Sequence, residues 1–289
     1  MKSGFVALVG RSNVGKSTIL NKIIGKKISI VTPKSQTTRN SIQGIYNSKN
    51  SQIIFVDTPG IHKPKSELGI KMDKQSYSSI RDCDLALFVV DASKEFNDGD
   101  EYLFEHLKFD CPLMIIFNKI DETNISLITD LKNRYIDQYN PIEIIETCGL
   151  DGFGIDNLIK KIEDHLEEGP QYYDLETTTD KDLSFRVQEI IREKMLLLLK
   201  EEVPHSSTVR CESINTEEFP VNIFAKIIVE KESQKGIVIG SKGKMIKRIG
   251  TLARQDIEKM IGKHVNLQLV VQVVENWRNS SRFLVDIGY

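Results

Sequence analysis

Gly10-Arg11-Ser12-Asn13-Val14-Gly15-Lys16-Ser17 is the stretch on which the reading of this chain turns. It has the spacing GxxxxGK[ST], follows the apolar run 5–9 and opens the helical pattern Lys16–Ile24. A glycine-rich turn between strand and helix aims several backbone N–H groups into one concavity. The helix N-terminus adds partial positive charge there. Phosphate oxygens are the ligand such a concavity fits, with the turn wrapping them from Gly10 to Thr18. Lys16 would reach the outer phosphates, and the Ser17 hydroxyl would ligate Mg²⁺.

Outward from this turn, residues 5–9, 52–56, 85–90, 113–117 and 142–146 read as strands, being Val/Ile/Phe-rich runs bounded by Gly, Pro, Asp or Asn. Helical patterns at 16–24, 66–80, 101–107, 125–139 and 155–166 alternate with them. Near-continuous apolar strands alternating with helices predict an α/β domain, a mostly parallel sheet covered by helices on both faces. Such sheets bind ligands at the carboxyl ends of their strands, and two further motifs fall there. Asp57-Thr58-Pro59-Gly60 follows the second strand. Its carboxylate can hold Mg²⁺ through water and Gly60 can offer an N–H to a γ-phosphate; alone it would read equally as turn chemistry. Asn118-Lys119-Ile120-Asp121 ends the fourth strand. A carboxylate at Asp121 can accept two parallel bonds from guanine N1–H and N2–H₂, a donor pair that adenine lacks. Thr147-Cys148-Gly149 would close the base pocket.

The chain has 289 residues, with 39 Lys+Arg against 41 Asp+Glu. The charge is split: residues 181–289 carry 18 basic and 14 acidic groups, so residues 1–180 carry 21 and 27. An acidic front and a basic back predict different partners for the two parts. At 40% hydrophobic and 28% charged the composition is that of a globular protein. No apolar run approaches the roughly 20 residues of a spanning helix, and no signal peptide is visible. Four cysteines without a CxxC pair, and five scattered histidines, indicate neither a zinc site nor a disulfide framework. Low cysteine usage points to a reducing, cytoplasmic compartment.

The order of these motifs resembles that of translation-factor-class GTPases and, within them, the Era-type family of ribosome-assembly GTPases. Gln36-Thr37-Thr38-Arg39 followed by Gly44-Ile45 is similar to that family's first switch segment, and Arg186–Lys194 and Glu202–Ser206 are similar to its C-terminal domain. The resemblance implies that Thr38, rather than Thr37, is the Mg²⁺ ligand that senses the γ-phosphate. It implies a switch built from Thr37, Thr38 and Asp57–Ile61. It also implies binding to the 3′ end of small-subunit ribosomal RNA, a role in 30S assembly and rRNA maturation, coupling to cell-cycle progression, peripheral association with the inner membrane, and a monomer. Cys148-Gly149 departs from the Ser-Ala of many GTPases, which weakens the expectation for base contacts there and not for GTP binding.

The back half reads as a linker over 169–182 and a small α+β domain over 183–289, after a domain of residues 1–168. A helix over 185–203 precedes strands at 208–214 and 221–230, a helix–turn–helix over 236–261, a strand over 264–274 and a terminal helix over 277–284. Met195–Leu199 and Trp277 read as core. Gly240-Ser241-Lys242-Gly243 has the GxxG spacing by which KH domains clamp a nucleic-acid backbone. GxxG alone is nearly uninformative; Gly149–Gly152 is a second match. The surroundings decide, since residues 235–263 carry 8 basic and 2 acidic groups. Lys242, Lys244, Lys247 and Arg248 are the candidate phosphate contacts beside Gly240, Ser241 and Gly243. The element order matches a type II KH domain, as in the Era-type family.

Two expectations concern rate. Ile61 stands where Ras-like enzymes carry a water-orienting Gln and cannot hydrogen-bond, so intrinsic hydrolysis should be slow. Asn13 stands where related GTPases use an Asn to coordinate K⁺. Three rival readings meet specific residues of the chain. A metabolic P-loop kinase or ATPase is opposed by NKID, and a tRNA-modifying GTPase by the basic GxxG domain and the lack of a reactive Cys after residue 168. A KH binding protein with an inert GTPase domain would bind GTP without turnover.

Overall fold

The computed structural model describes residues 1–60 and 66–289. They group into two compact units, residues 1–60 with 69–180, and residues 66–68 with 181–289.

The first unit is built on a six-stranded sheet of order β2-β3-β1-β4-β5-β6. Its strands are β1 (Lys2–Val9), β2 (Ile42–Asn47), β3 (Ser51–Asp57), β4 (Leu85–Asp91), β5 (Leu113–Asn118) and β6 (Glu143–Thr147). All neighbours pair in parallel except β2 with β3, which are antiparallel. The helices are α1 (Lys16–Ile24), α2 (Glu67–Arg81), α3 (Asp98–His106), α4 (Ile125–Tyr139) and α5 (Ile155–His165). Every residue of β3 and β4 is buried. One face of the sheet packs Leu8, Phe55 and Leu87 against Ile19 and Leu158; the other packs Phe88 and Phe117 against Leu103 and Tyr135. Two covered faces explain why these strands read as unbroken apolar runs.

Strand β2 is the element the pattern missed. Its alternation is broken by Gly44, which lowers strand propensity. The glycine is required, because a Cβ there would lie 2.7 Å from Ile28 Cδ1 and from Leu20 Cδ1. The stretch 169–182, read as a linker, lies largely along this edge of the sheet. Ile45 N donates to Thr178 O at 3.1 Å, Gln52 Nε2 to Tyr173 O at 2.8 Å, and the Tyr173 hydroxyl to Gln43 Oε1 at 2.6 Å. Polar chain thus covers an edge that would otherwise expose unpaired backbone groups.

The second unit runs α6 (Leu183–Leu198), β7 (Thr208–Asn215), β8 (Val221–Val229), α7 (Glu232–Ile239), α8 (Lys244–Ile261), β9 (Val265–Val273) and α9 (Ser281–Asp286). The sheet order is β7-β8-β9, with β7 antiparallel and β9 parallel to β8. Helix α6 stops at Leu198, five residues short of the expected 203; Glu201 then adopts φ 54° and Pro204 ends helical continuation. Val203 still reaches the core formed by Met195, Ile191, Val238 and Ile257. Helix α7 starts four residues before the expected 236. Trp277 lies in a 3₁₀ turn, fully buried, with Nε1 donating to Ser206 O at 3.0 Å. Among the described residues no helix is long and apolar enough to cross a membrane, and no cluster of three or more His, Cys, Asp or Glu could hold a metal. All four cysteines are free.

Candidate functional site

The turn between β1 and α1 closes on itself through two glycines with no room for a side chain. A Cβ on Gly10 (φ 142°) would sit 2.4 Å from Val89 O, and one on Gly15 (φ 103°) 2.1 Å from Asn118 Nδ2. Lys16 opens α1 and is buried; its Nζ donates to Gly10 O and Arg11 O, both at 2.9 Å. Burial lowers its pKa to about 8, against the pull of Asp57. A buried ammonium ringed by carbonyls of its own loop is suited to meeting phosphate oxygens. Arg11 turns aside, its Nη1 donating to Asn97 Oδ1 at 2.6 Å. Asn13, at φ 66°, donates through Nδ2 to Pro33 O at 2.8 Å.

Beyond the turn, four side chains from four segments meet. Ser17 Oγ donates to Asp57 Oδ2 at 2.6 Å and lies 3.0 Å from Thr38 Oγ1. Ser29 Oγ donates to the same Oδ2 at 2.9 Å. Asp57 is wholly buried, and its Oδ1 has no hydrogen-bond partner among the described residues. Burial pushes its carboxyl pKa up, while Lys16 and the hydroxyls of Ser17, Ser29 and Thr38 pull it down. A desolvated carboxylate oxygen beside two hydroxyls is a hard donor set, which suits Mg²⁺ better than a soft metal. Thr37 faces its own loop, donating to Lys34 O at 2.7 Å. Thr58 Oγ1 donates to Leu8 O at 2.8 Å, and Ser76 Oγ of α2 to Pro59 O at 3.0 Å. Gly60 lies so close to the glycine-rich turn that a Cβ on it would sit 2.6 Å from Ser12 Oγ. Ile61 lies outside the described residues.

At the end of β5, Asn118 ties three loops together. Its Nδ2 donates to Val14 O at 2.8 Å, and its Oδ1 accepts from Gly149 N at 2.9 Å and Thr147 Oγ1 at 3.2 Å. Lys119, at φ 63°, donates to Asp91 Oδ2 at 2.7 Å. Asp121 sits in the 3₁₀ turn Ile120–Glu122. Burial raises the pKa of the neighbouring Cys148 thiol, and its hydrogen bond to Asp121 adds to the rise. Asn118, Lys119, Asp121 and Cys148 line one cavity of about 520 Å³ with Lys16, Thr18 and Thr38. It has the size of a small-molecule site, with Gly15, Lys16 and Ser17 of the phosphate-type cradle and Asp121 all in its wall. Ser29 and Asn118's clamp on Val14 were not visible in the sequence. Ser29 carries no motif, and only the fold brings it to Asp57.

The second unit has a site of its own. Between α7 and α8 the turn Gly240–Gly243 has Gly240 at φ 69°, Lys242 at φ 50° and Gly243 at φ 74°. A Cβ on Gly240 would lie 2.7 Å from Met245 Cβ, whereas one on Gly243 would meet open space. Ser241, Lys242, Lys244, Lys247 and Arg248 are all exposed. Beside the turn, Ile246, Gly250 and Arg254 of α8 face Asn266, Leu267 and Leu269 of β9 across a groove of about 360 Å³. The GxxG pattern gives the loop but not this groove, whose β9 wall shows only as a strand's alternation.

Residues 5–119 match a family model described as a 50S ribosome-binding GTPase, and residues 202–278 one described as a KH domain. A crystal structure of a point variant of Aquifex aeolicus Era bound to GDP and AlF₄⁻ superimposes with a TM-score of 0.95 at 37% identity. So does a crystal structure of Era in complex with MgGDPNP and nucleotides 1506–1542 of 16S ribosomal RNA, with the same score and identity. Each covers 100% of this chain and 99% of its own.

Proposed function

Since the chain belongs to the Era family of GTPases, we propose that it is a Mg²⁺-dependent, GTP-hydrolysing switch that binds the 3′ end of small-subunit ribosomal RNA and acts in 30S subunit assembly and rRNA maturation. The observation that carries this reading is the cluster of Ser17, Thr38 and Asp57, in which Asp57 Oδ2 is held and Oδ1 is left unpaired, with Ser17 and Thr38 lining the same cavity as Asp121. In this reading residues 1–168 hold the nucleotide chemistry, 169–182 connect, and 183–289 hold the RNA chemistry.

The backbone N–H groups from Gly10 to Thr18 cradle the phosphate chain, and Lys16 neutralises its outer oxygens. Bound Mg²⁺ would supply charge to the phosphate oxygens, held by Ser17, by Thr38 and, through water, by Asp57. Thr38 and Gly60 approach the terminal phosphate from opposite loops, so its loss frees both. Asp121 reads guanine, with Asn118, Lys119 and Cys148 shaping the pocket. A side chain at position 61 that cannot hydrogen-bond leaves intrinsic turnover slow, on the order of 10⁻⁴–10⁻³ s⁻¹. Asn13 is the K⁺ candidate: Nδ2 is the engaged atom, and a cation would take Oδ1. Lys242, with Lys244, Lys247 and Arg248, meets RNA phosphates at the GxxG turn. The protein works as a cytoplasmic monomer. Peripheral attachment to the cytoplasmic face of the membrane and coupling to the cell cycle rest on the family resemblance alone.

The test is turnover of GTP and ATP with and without Mg²⁺, for the wild type and Asp121→Asn, alongside titration with a small-subunit 3′-end oligoribonucleotide. GTP-selective, Mg²⁺-dependent turnover and RNA binding support the proposal. Equal use of ATP would favour a metabolic P-loop enzyme, and tight GTP binding without turnover would favour an inert GTPase domain.

A further inference from the structure

We infer that Ser29 is a positioning residue, which fixes the Asp57 carboxylate so that one oxygen faces the metal position. The inference rests on the reading of Asp57 as the carboxylate that faces Mg²⁺ through water. Ser29 is 1% exposed, and its hydroxyl donates to Asp57 Oδ2 at 2.9 Å. Its backbone is clamped by Asn21 of α1: Asn21 Oδ1 accepts from Ile28 N at 2.9 Å and Ser29 N at 3.0 Å, and Asn21 Nδ2 donates to Ser29 O at 2.7 Å. Asn21 is one helical turn beyond Ser17, so the helix that carries the metal-binding hydroxyl also holds the second donor in register.

The two donors differ in what else they must do. Ser17 would share its oxygen with the cation. Ser29 has no such duty, and its hydroxyl serves the carboxylate. A carboxylate turns easily about its terminal torsion. With Oδ2 held by both hydroxyls, Oδ1 is left without a partner, and it is the oxygen available to a metal-bound water. Partners that orient metal-facing groups in this way typically change metal affinity by about 10- to 100-fold when removed. Ser29→Ala isolates the effect, because Asn21 holds position 29 through the backbone and the clamp survives the substitution.

The experiment measures release of a fluorescent GDP analogue from the full chain against free Mg²⁺, for wild type, Ser29→Ala and Ser29→Cys. In chelator, Ser29→Ala should release nucleotide at the wild-type rate. The Mg²⁺ concentration that half-maximally slows release should rise about tenfold. Ser29→Cys, with a weaker donor of similar size, should fall between. An unchanged Mg²⁺ midpoint in Ser29→Ala, or faster release that is the same with and without Mg²⁺, overturns the inference and leaves the Mg²⁺ reading intact. A wild type whose release ignores Mg²⁺ overturns both.

Discussion

Asn118→Ala is the substitution whose cost can be worked out most directly. Its amide makes three hydrogen bonds, to Val14 O, from Gly149 N and from Thr147 Oγ1, and it is 2% exposed. A net hydrogen bond is worth about 1 kcal/mol, and a buried backbone group left unpaired costs about 1–3 kcal/mol. Thr147 can rotate to a new partner, but Val14 O and Gly149 N are fixed by their loops. The sum is about 2–6 kcal/mol, a loss of roughly 4–24 °C in the melting temperature of a unit this size. A second variant checks the mechanism. An alanine at Gly15 would place its Cβ 2.1 Å from Asn118 Nδ2, so Gly15→Ala must itself displace that amide. The double variant should therefore lose less than the sum of the singles, by more than about 1 kcal/mol. The assay is thermal unfolding of the nucleotide-free full chain by circular dichroism. Trp277, the chain's single tryptophan, reports the second unit by fluorescence. A loss under about 1 kcal/mol for Asn118→Ala, or strict additivity of the pair, would refute the view that this side chain pins the loops together.

Three further outcomes are expected. Lys242→Asp should weaken RNA binding about tenfold or more and flatten its logarithmic salt dependence by about one unit, with GTP turnover in the absence of RNA unchanged; unaltered RNA titrations at two salt concentrations would remove the GxxG contact. Gly240→Ala should destabilise the second unit more than Gly243→Ala does, because the first meets Met245 and the second meets only its own positive φ; equal denaturation midpoints would contradict this. Turnover in K⁺ should exceed that in Na⁺ for the wild type and not for Asn13→Ala, and equal wild-type rates in the two salts would discard Asn13 as a cation ligand.

The parts of the fold legible in the sequence are those with a local signature. The buried strands β3 and β4 showed as apolar runs, and the glycine-rich turn as a spacing whose two glycines are each required sterically. Strand β2 did not show, because the residue that lets it pack under Ile28 and Leu20 is a glycine, and its neighbour across the edge is a polar stretch far along the chain. The end of α6 differs from the sequence pattern for the opposite reason. Val203 is apolar and buried, but it reaches the core from a turn after the helix has ended. At the site, residues within motifs were readable one by one. Ser29 at Asp57, Asn118 at Val14 and the groove between α8 and β9 come from tertiary placement, and single-sequence spacing carries no trace of them.

The most direct test of the account is to crosslink the wild type and Lys242→Asp to RNA in growing cells and map the crosslinks. The account predicts that wild-type crosslinks concentrate at the 3′ end of small-subunit ribosomal RNA and fall to background in the variant. Crosslinks scattered over unrelated RNAs, or a 3′-end signal that survives Lys242→Asp undiminished, would contradict it.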